Sequence, residues 1–155
     1  MPSSIVISDT SSLIVLTKIG QIDLLPKLYA QIITTPEIII EFGNPLPDWI
    51  QVINVQNLDL KKSLELQLDL GEASAIASAH EIPNSTLILD DLKGRKVAKL
   101  LKMKFTGTLG VLARAKSEGL IPWLKPVIDR LLETNFRISD QLIEELLKKY
   151  GEFHN

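Results

Sequence analysis

Ile5-Val6-Ile7-Ser8-Asp9 and Thr86-Leu87-Ile88-Leu89-Asp90-Asp91 decide the fold. Each is a short, mostly aliphatic run that stops on a carboxylate. A run that is apolar at consecutive positions suits a strand covered on both faces. After the first, Ser11 to Ile19 places Leu13, Leu16 and Ile19 about a turn apart, and Gly20 ends the pattern. After the second, Leu92 to Lys102 reads as a basic helix. Strand, carboxylate, helix, twice over, predicts a parallel sheet with helices packed on it.

Working outward, Ile22 to Tyr29 is a short helix and Gln31 to Thr35 a second strand, with Pro36 opening a helix through Glu41. Residues 43–48, Gly-Asn-Pro-Leu-Pro-Asp, form a loop. Trp49 to Val55 holds a third strand, and Leu58 to Leu70 is helical. Gly71 is expected to mark a turn before the alanine-rich helix Glu72 to Glu81. Lys104 to Thr106 is an edge strand ahead of a helix from Leu109 to Ser117. Leu120 to Leu132 and Ser139 to Tyr150 are amphipathic helices, the last capped by Ser139.

One domain is expected over residues 1–155, with a helical C-terminal segment at about 120–151. Hydrophobic residues make up 45% of the 155 and aromatic ones only 5%, so the core must be aliphatic. Cysteine is absent, which excludes disulfides, thiolate metal sites and a cysteine nucleophile. No leader pattern and no run of roughly 18 apolar residues is present, so a cytoplasmic protein off the membrane is expected. A net charge of −2 argues against coating nucleic acid by bulk charge. It leaves open an acidic site whose sign is reversed by cations.

In parallel sheets, ligands bind outside the carboxyl ends of the strands, where Asp9 and Asp90-Asp91 stand. Either Asp9 or Asp91 could simply cap the next helix. Glu41, after Ile38-Ile39-Ile40, is expected beside a buried face, and Glu72 opens a helix of small residues. Two carboxylates at about 4 Å repel by roughly 4 kcal/mol at an effective dielectric near 20. A cluster of them therefore needs protons or cations. Oxygen donors without His or Cys suit Mg²⁺ or Mn²⁺, which can activate water against a phosphodiester.

The segments Ile7-Ser8-Asp9-Thr10-Ser11-Ser12-Leu13-Ile14, Thr35-Pro36 to Glu41, Gly71-Glu72-Ala73-Ser74-Ala75-Ile76-Ala77, and Leu89-Asp90-Asp91 with Arg95 and Ala98 resemble a PIN domain. Gly107-Thr108-Leu109-Gly110-Val111-Leu112, with the following Ala113-Arg114-Ala115-Lys116, is similar to a prokaryotic subgroup related to VapC-type toxins. The resemblance implies a three-layer α/β/α sandwich around a mainly parallel sheet, an Mg²⁺ or Mn²⁺ site, and RNA cleavage. Asp9, Glu41 and Glu72 match the first three acids of the family, and the fourth falls at Asp90 or Asp91. Many members carry Asp where this chain has Glu72. The implied partners are an RNA substrate, an antitoxin that blocks the cleft, and a second copy in a homodimer. The alternative is an inactive PIN-like module that binds RNA or protein.

Lys93, Arg95, Lys96, Lys99, Lys102 and Lys104 follow Asp90-Asp91. Arg95, Lys99 and Lys102 would share one helix face and grip phosphates, unless the strip is only a solvated surface. Arg114 and Lys116 would extend it, and Ser11 would bind near the first acid. His80 is expected to be structural, His154 to lie in a frayed tail, and Trp49 and Trp123 to pack. A haloacid-dehalogenase-like phosphatase wants a second Asp two residues after the first, where Ser11 stands.

Overall fold

The computed structural model describes residues 4–153, so His154 lies outside it. The chain runs β1 (Ile5–Ser8), α1 (Thr10–Lys18), α2 (Leu24–Leu28), β2 (Gln31–Thr34), α3 (Pro36–Phe42), β3 (Ile50–Val52), α4 (Leu58–Glu65) and α5 (Leu70–Glu81). It continues through β4 (Ser85–Ile88), α6 (Leu92–Leu100), β5 (Lys104–Thr106), α7 (Thr108–Ser117), α8 (Leu124–Leu132) and α9 (Asp140–Lys149). All pairings are parallel, in the order β3-β2-β1-β4-β5, and helices flank the sheet as an α/β/α sandwich.

The central strands are buried as their sequence requires. Val6, Ile7, Leu87 and Ile88 are fully covered, each worth about 2 kcal/mol of transfer free energy. Ala73, Ala75 and Ala77 on α5 are also buried; small side chains let this helix lie close against β1 and β4. Against its other side lie α3 and α4. The chain runs from β1 outward to β2 and β3, then returns to place β4 on the opposite side of β1. That reversal makes the β1/β4 boundary a switch point, where the connections diverge and leave a crevice. The register Ser8↔Ile88 brings Asp9 and Asp90 to its lip.

Several boundaries differ from expectation. Gly71 is no turn: it is the second residue of α5, whose N-cap is Asp69, with Oδ1 accepting from the Glu72 amide at 2.8 Å. A glycine is needed there for close approach, not for a break. The preceding helix stops at Glu65, and Leu66 is 89% exposed. Trp49 to Val55 contracts to the three residues of β3. Pro122 biases Ile121 away from helical backbone, so α8 begins only at Leu124. Its Leu124, Val127, Ile128 and Leu131 enter the core, whereas on α9 only Leu147 is buried. Ser139 does cap α9, accepting from the Leu142 amide. None of the described helices is long and apolar enough to cross a membrane.

Candidate active site

Asp9 leaves β1 and caps α1, its Oδ1 accepting from the Ser12 amide at 2.8 Å. It is only 2% exposed. Burial pushes its carboxyl up to about 6, with the Asp90 charge adding to the rise and the Ser12 bonds opposing it. Capping and site membership are thus the same geometry here, because the cap sits inside the crevice.

Asp90 is tied down from two helices. Its Oδ1 accepts from the Thr108 amide (2.9 Å), and its Oδ2 from the hydroxyls of Thr108 (2.6 Å) and Ser12 (3.0 Å). Ser12 therefore bridges both strand-end acids, through its amide to one and its hydroxyl to the other. Arg95 donates from Nε to the Leu89 carbonyl (2.6 Å), lies over the Phe105 ring, and brings Nη2 within 3.9 Å of Asp90 Oδ1. A Cβ on Gly107 would overlap both Asp90 Oδ1 and Arg95 Nη2, so a side chain here would displace both groups from these positions.

Glu41 reaches in from the last turn of α3. Its Oε1 accepts from Thr10 Oγ1 (2.7 Å) and its Oε2 from the Gly71 amide (3.4 Å). A Cβ at position 71 would occupy the place of Glu41 Oε1. The expectation of a buried α3 face is corrected: Ile38 is buried, but Ile40 is 79% exposed and Glu41 sits on the exposed side. The core contacts of α3 come from Ile38 and from Phe42 at its end, not from Ile40.

Glu72 is the least satisfied of the acids. Its Oε2 is buried without a hydrogen-bond partner, and Gly94 packs so closely that a Cβ there would come within 2.8 Å of it. Burial, then the carboxylates of Asp69 and Asp91, push its carboxyl up to about 9. Asp91 also caps α6, its Oδ2 accepting from the Gly94 amide (2.9 Å). Of the doubled pair, then, Asp90 is fixed in the crevice between β1 and α7, and Asp91 is a helix cap facing Glu72.

Asp9, Glu41 and Glu72 line one cleft of about 330 Å³ with Thr10, Ser11, Ile14 and Asp69. Sequence reading missed Asp69, Thr10, Ser12 and Thr108. Asp69 stands two residues before a glycine mistaken for a turn. Ser12 and Thr108 each lie within a few residues of a strand end, and that placement was the available signal.

The basic strip is less continuous than expected. Lys99 is exposed on α6, but Lys102 lies past its end at φ 58°, because the helix closes at Leu100. Arg114 pairs with Glu118 over the Tyr29 ring, and Lys116 bonds the Pro122 carbonyl and approaches Glu152, so neither extends the strip. His80 is exposed at the end of α5, and Trp123 is 62% exposed. Trp49 does pack against the core.

Among the described residues, no three acids or imidazoles lie close enough to form a ready cage for an ion. The donor set nevertheless fits a hydrated hard dication. Mg²⁺ takes one or two carboxylates and keeps several waters. Glu72 Oε2 is an orphaned buried oxygen of the right kind, and burial raises the carboxyls of Asp9 and Glu72, so their charged forms are costly without a cation.

No curated protein matches the chain. The family model of the PIN domain matches residues 5–152, from the first residue of β1 to beyond α9. PIN domains are generally nucleases, and every carboxylate described above falls inside the matched span. The chain belongs to the PIN-domain family.

Proposed function

We propose that the chain is an Mg²⁺- or Mn²⁺-dependent endoribonuclease acting as a VapC-like toxin. The observation that carries the reading is Asp9, buried to 2% at the switch point and still lacking any cation among its described partners. Support for the toxin role comes from the similarity of Gly107 to Lys116 to that subgroup.

Asp9, Glu41 and Glu72 would hold the ion, with Asp69 and Asp91 adding negative field at the rim. A bound dication lowers the pKa of water and offsets charge on a leaving oxygen. The chain's own residues supply the alignment. Thr10 fixes the Glu41 carboxylate, while Ser12 and Thr108 hold Asp90 so that its charge faces Asp9 without rotating away. Arg95, clamped to the Leu89 carbonyl, presents a guanidinium beside the acids that can draw in a phosphate. Ser11, exposed on the first turn of α1, offers a hydroxyl to the entering strand.

Cleavage of a mixed RNA pool is expected with Mg²⁺ or Mn²⁺ and not with EDTA, and Asp9→Asn should slow it more than about 100-fold. Cleavage that survives the substitution at the wild-type rate would overturn the reading. No cleavage with either ion would favour the inactive module that binds RNA or protein.

A further inference from the structure

A second cavity opens on the other side of Ser11. It holds about 870 Å³ and begins at Asp90, Asp91 and Arg95. One wall is Phe105 and Leu109; the other is the segment from Asn135 into α9, including Phe136 and Leu142. Ser11 lines both this groove and the acidic cleft, so the two are neighbours. The groove is mostly apolar inside, yet its polar groups have a pattern. Arg95 stands at the end nearest the acids. Arg137 lines it as well, exposed and without an ion pair among the described residues. Asn135 and Ser139 lie beside it, and the Ser139 oxygen already accepts from the Leu142 amide, which leaves its hydroxyl free to donate.

We propose that this groove is a nucleotide subsite of the nuclease. It takes the base of an RNA nucleotide flanking the cut, against Phe136, with that nucleotide's phosphate on Arg137. The assignment rests on the nuclease reading above. Three features favour single-stranded RNA over an apolar peptide. The groove shares Ser11 with the cleft that would hold the scissile phosphate. Its lining carries two cations, Arg95 and Arg137, which suits a chain with a charge at every repeat. Its aromatic walls and amide and hydroxyl groups match a flat base with polar edges. The size is ample for one nucleotide, since ordinary small-molecule pockets run from about 300 to 1,000 Å³.

The test uses a fluorescein-labelled random 12-mer RNA, bound to the full chain in EDTA and again in Mg²⁺, with melting temperatures taken on every variant. Arg137→Glu is expected to weaken binding about 10-fold and to flatten its salt dependence by one or two phosphate equivalents. Phe136→Ala is expected to weaken it on the order of 10-fold. In Mg²⁺, sequencing the cut ends should show base preference lost at one flanking position and kept elsewhere. If both variants melt like the wild type and bind RNA as it does, the subsite is overturned and the groove serves a protein or a second copy. Absence of wild-type binding in both EDTA and Mg²⁺ also overturns it. Phe136 is half-buried, so if its variant unfolds, exposed Arg137 alone decides the matter. Wild type that cuts while the variants bind normally removes the subsite only. Wild type that never cuts removes the nuclease reading, and the variants' affinities still decide the subsite.

Discussion

At the end of β4, Asp90 receives three hydrogen bonds from Ser12 and Thr108 and has Arg95 close by. At the start of α5, Glu72 buries an oxygen that receives none and faces Asp69 and Asp91. Asp90 follows a strand and Glu72 lies in the first turn of a helix; one is held by the chain and the other is left in need. The first arrangement fixes a direction, since an acceptor with three donors cannot turn. The second stores unfavourable charge that only a proton or an ion can relieve. A site that must bind and release a cation needs both, a rigid reference and an uncompensated well.

Asp9 belongs to the needy side in energy and to the held side in geometry, so its substitution should separate the two most strongly. Its carboxyl is raised from 3.8 to about 6. Stability from this group is fully present below pH 3.8, where folded and unfolded chains both carry the proton. It is lost as pH rises through about 6, by about 3 kcal/mol in all. Asn keeps the acceptor oxygen for the Ser12 amide and never ionises. In EDTA at pH 8, Asp9→Asn should therefore melt higher than the wild type, and the gap should close below pH 4. The same protein should cut RNA more than about 100-fold more slowly, since losing a ligand exceeds the usual cost of losing its support. A variant that is less stable at pH 8 and still cuts RNA at the wild-type rate would show that Asp9 is merely a helix cap.

Thr108→Val tests the held side alone. It removes the shortest bond to Asp90 without changing shape much, so about 1–3 kcal/mol of stability should go. Cleavage should fall about 10- to 100-fold, with a higher Mg²⁺ concentration needed for half-maximal rate. Unchanged metal dependence would mean that Asp90 does not position the ion.

The aliphatic runs before Asp9 and Asp90 disclosed the sheet because burial on both faces leaves no polar position to confuse the period. Asp9, Glu41, Glu72 and the Asp90-Asp91 pair stood out for the same reason, each breaking an apolar or small-residue context. Their partners were not. Thr10, Ser12 and Thr108 are the commonest kind of helix-start residue, and nothing local distinguishes a hydroxyl that caps from one that holds a carboxylate from another helix. Asp69 was hidden by the reading of Gly71 as a breaker. Glycine punctuates chains in two ways, by turning them and by letting another group come close, and only the second neighbour, here Glu41, tells which. The reach of the basic strip failed differently: Lys102 follows the helical spacing, but α6 closes at Leu100 and turns through a positive φ.

Gly71 and Gly20 make the smallest and sharpest version of the contrast. Gly20 has φ +72° and open space around its Cβ position, so it serves the backbone alone. Gly20→Ala should cost about 1 kcal/mol of stability and leave cleavage untouched. Gly71 lies inside α5 with no positive φ, so alanine gains up to about 1 kcal/mol in helix propensity. That gain is offset where the new methyl meets Glu41 Oε1 and Thr10 Oγ1. Glu41 is the end of an exposed, flexible side chain and can swing away, so the melting temperature should move little. Once displaced, its carboxylate loses Thr10 and faces solvent instead of the cleft. Cleavage should fall roughly 10-fold with a matching rise in the Mg²⁺ needed. If Gly71→Ala and Gly20→Ala instead behave alike, losing stability and keeping activity, then Glu41 does not act from where Thr10 holds it.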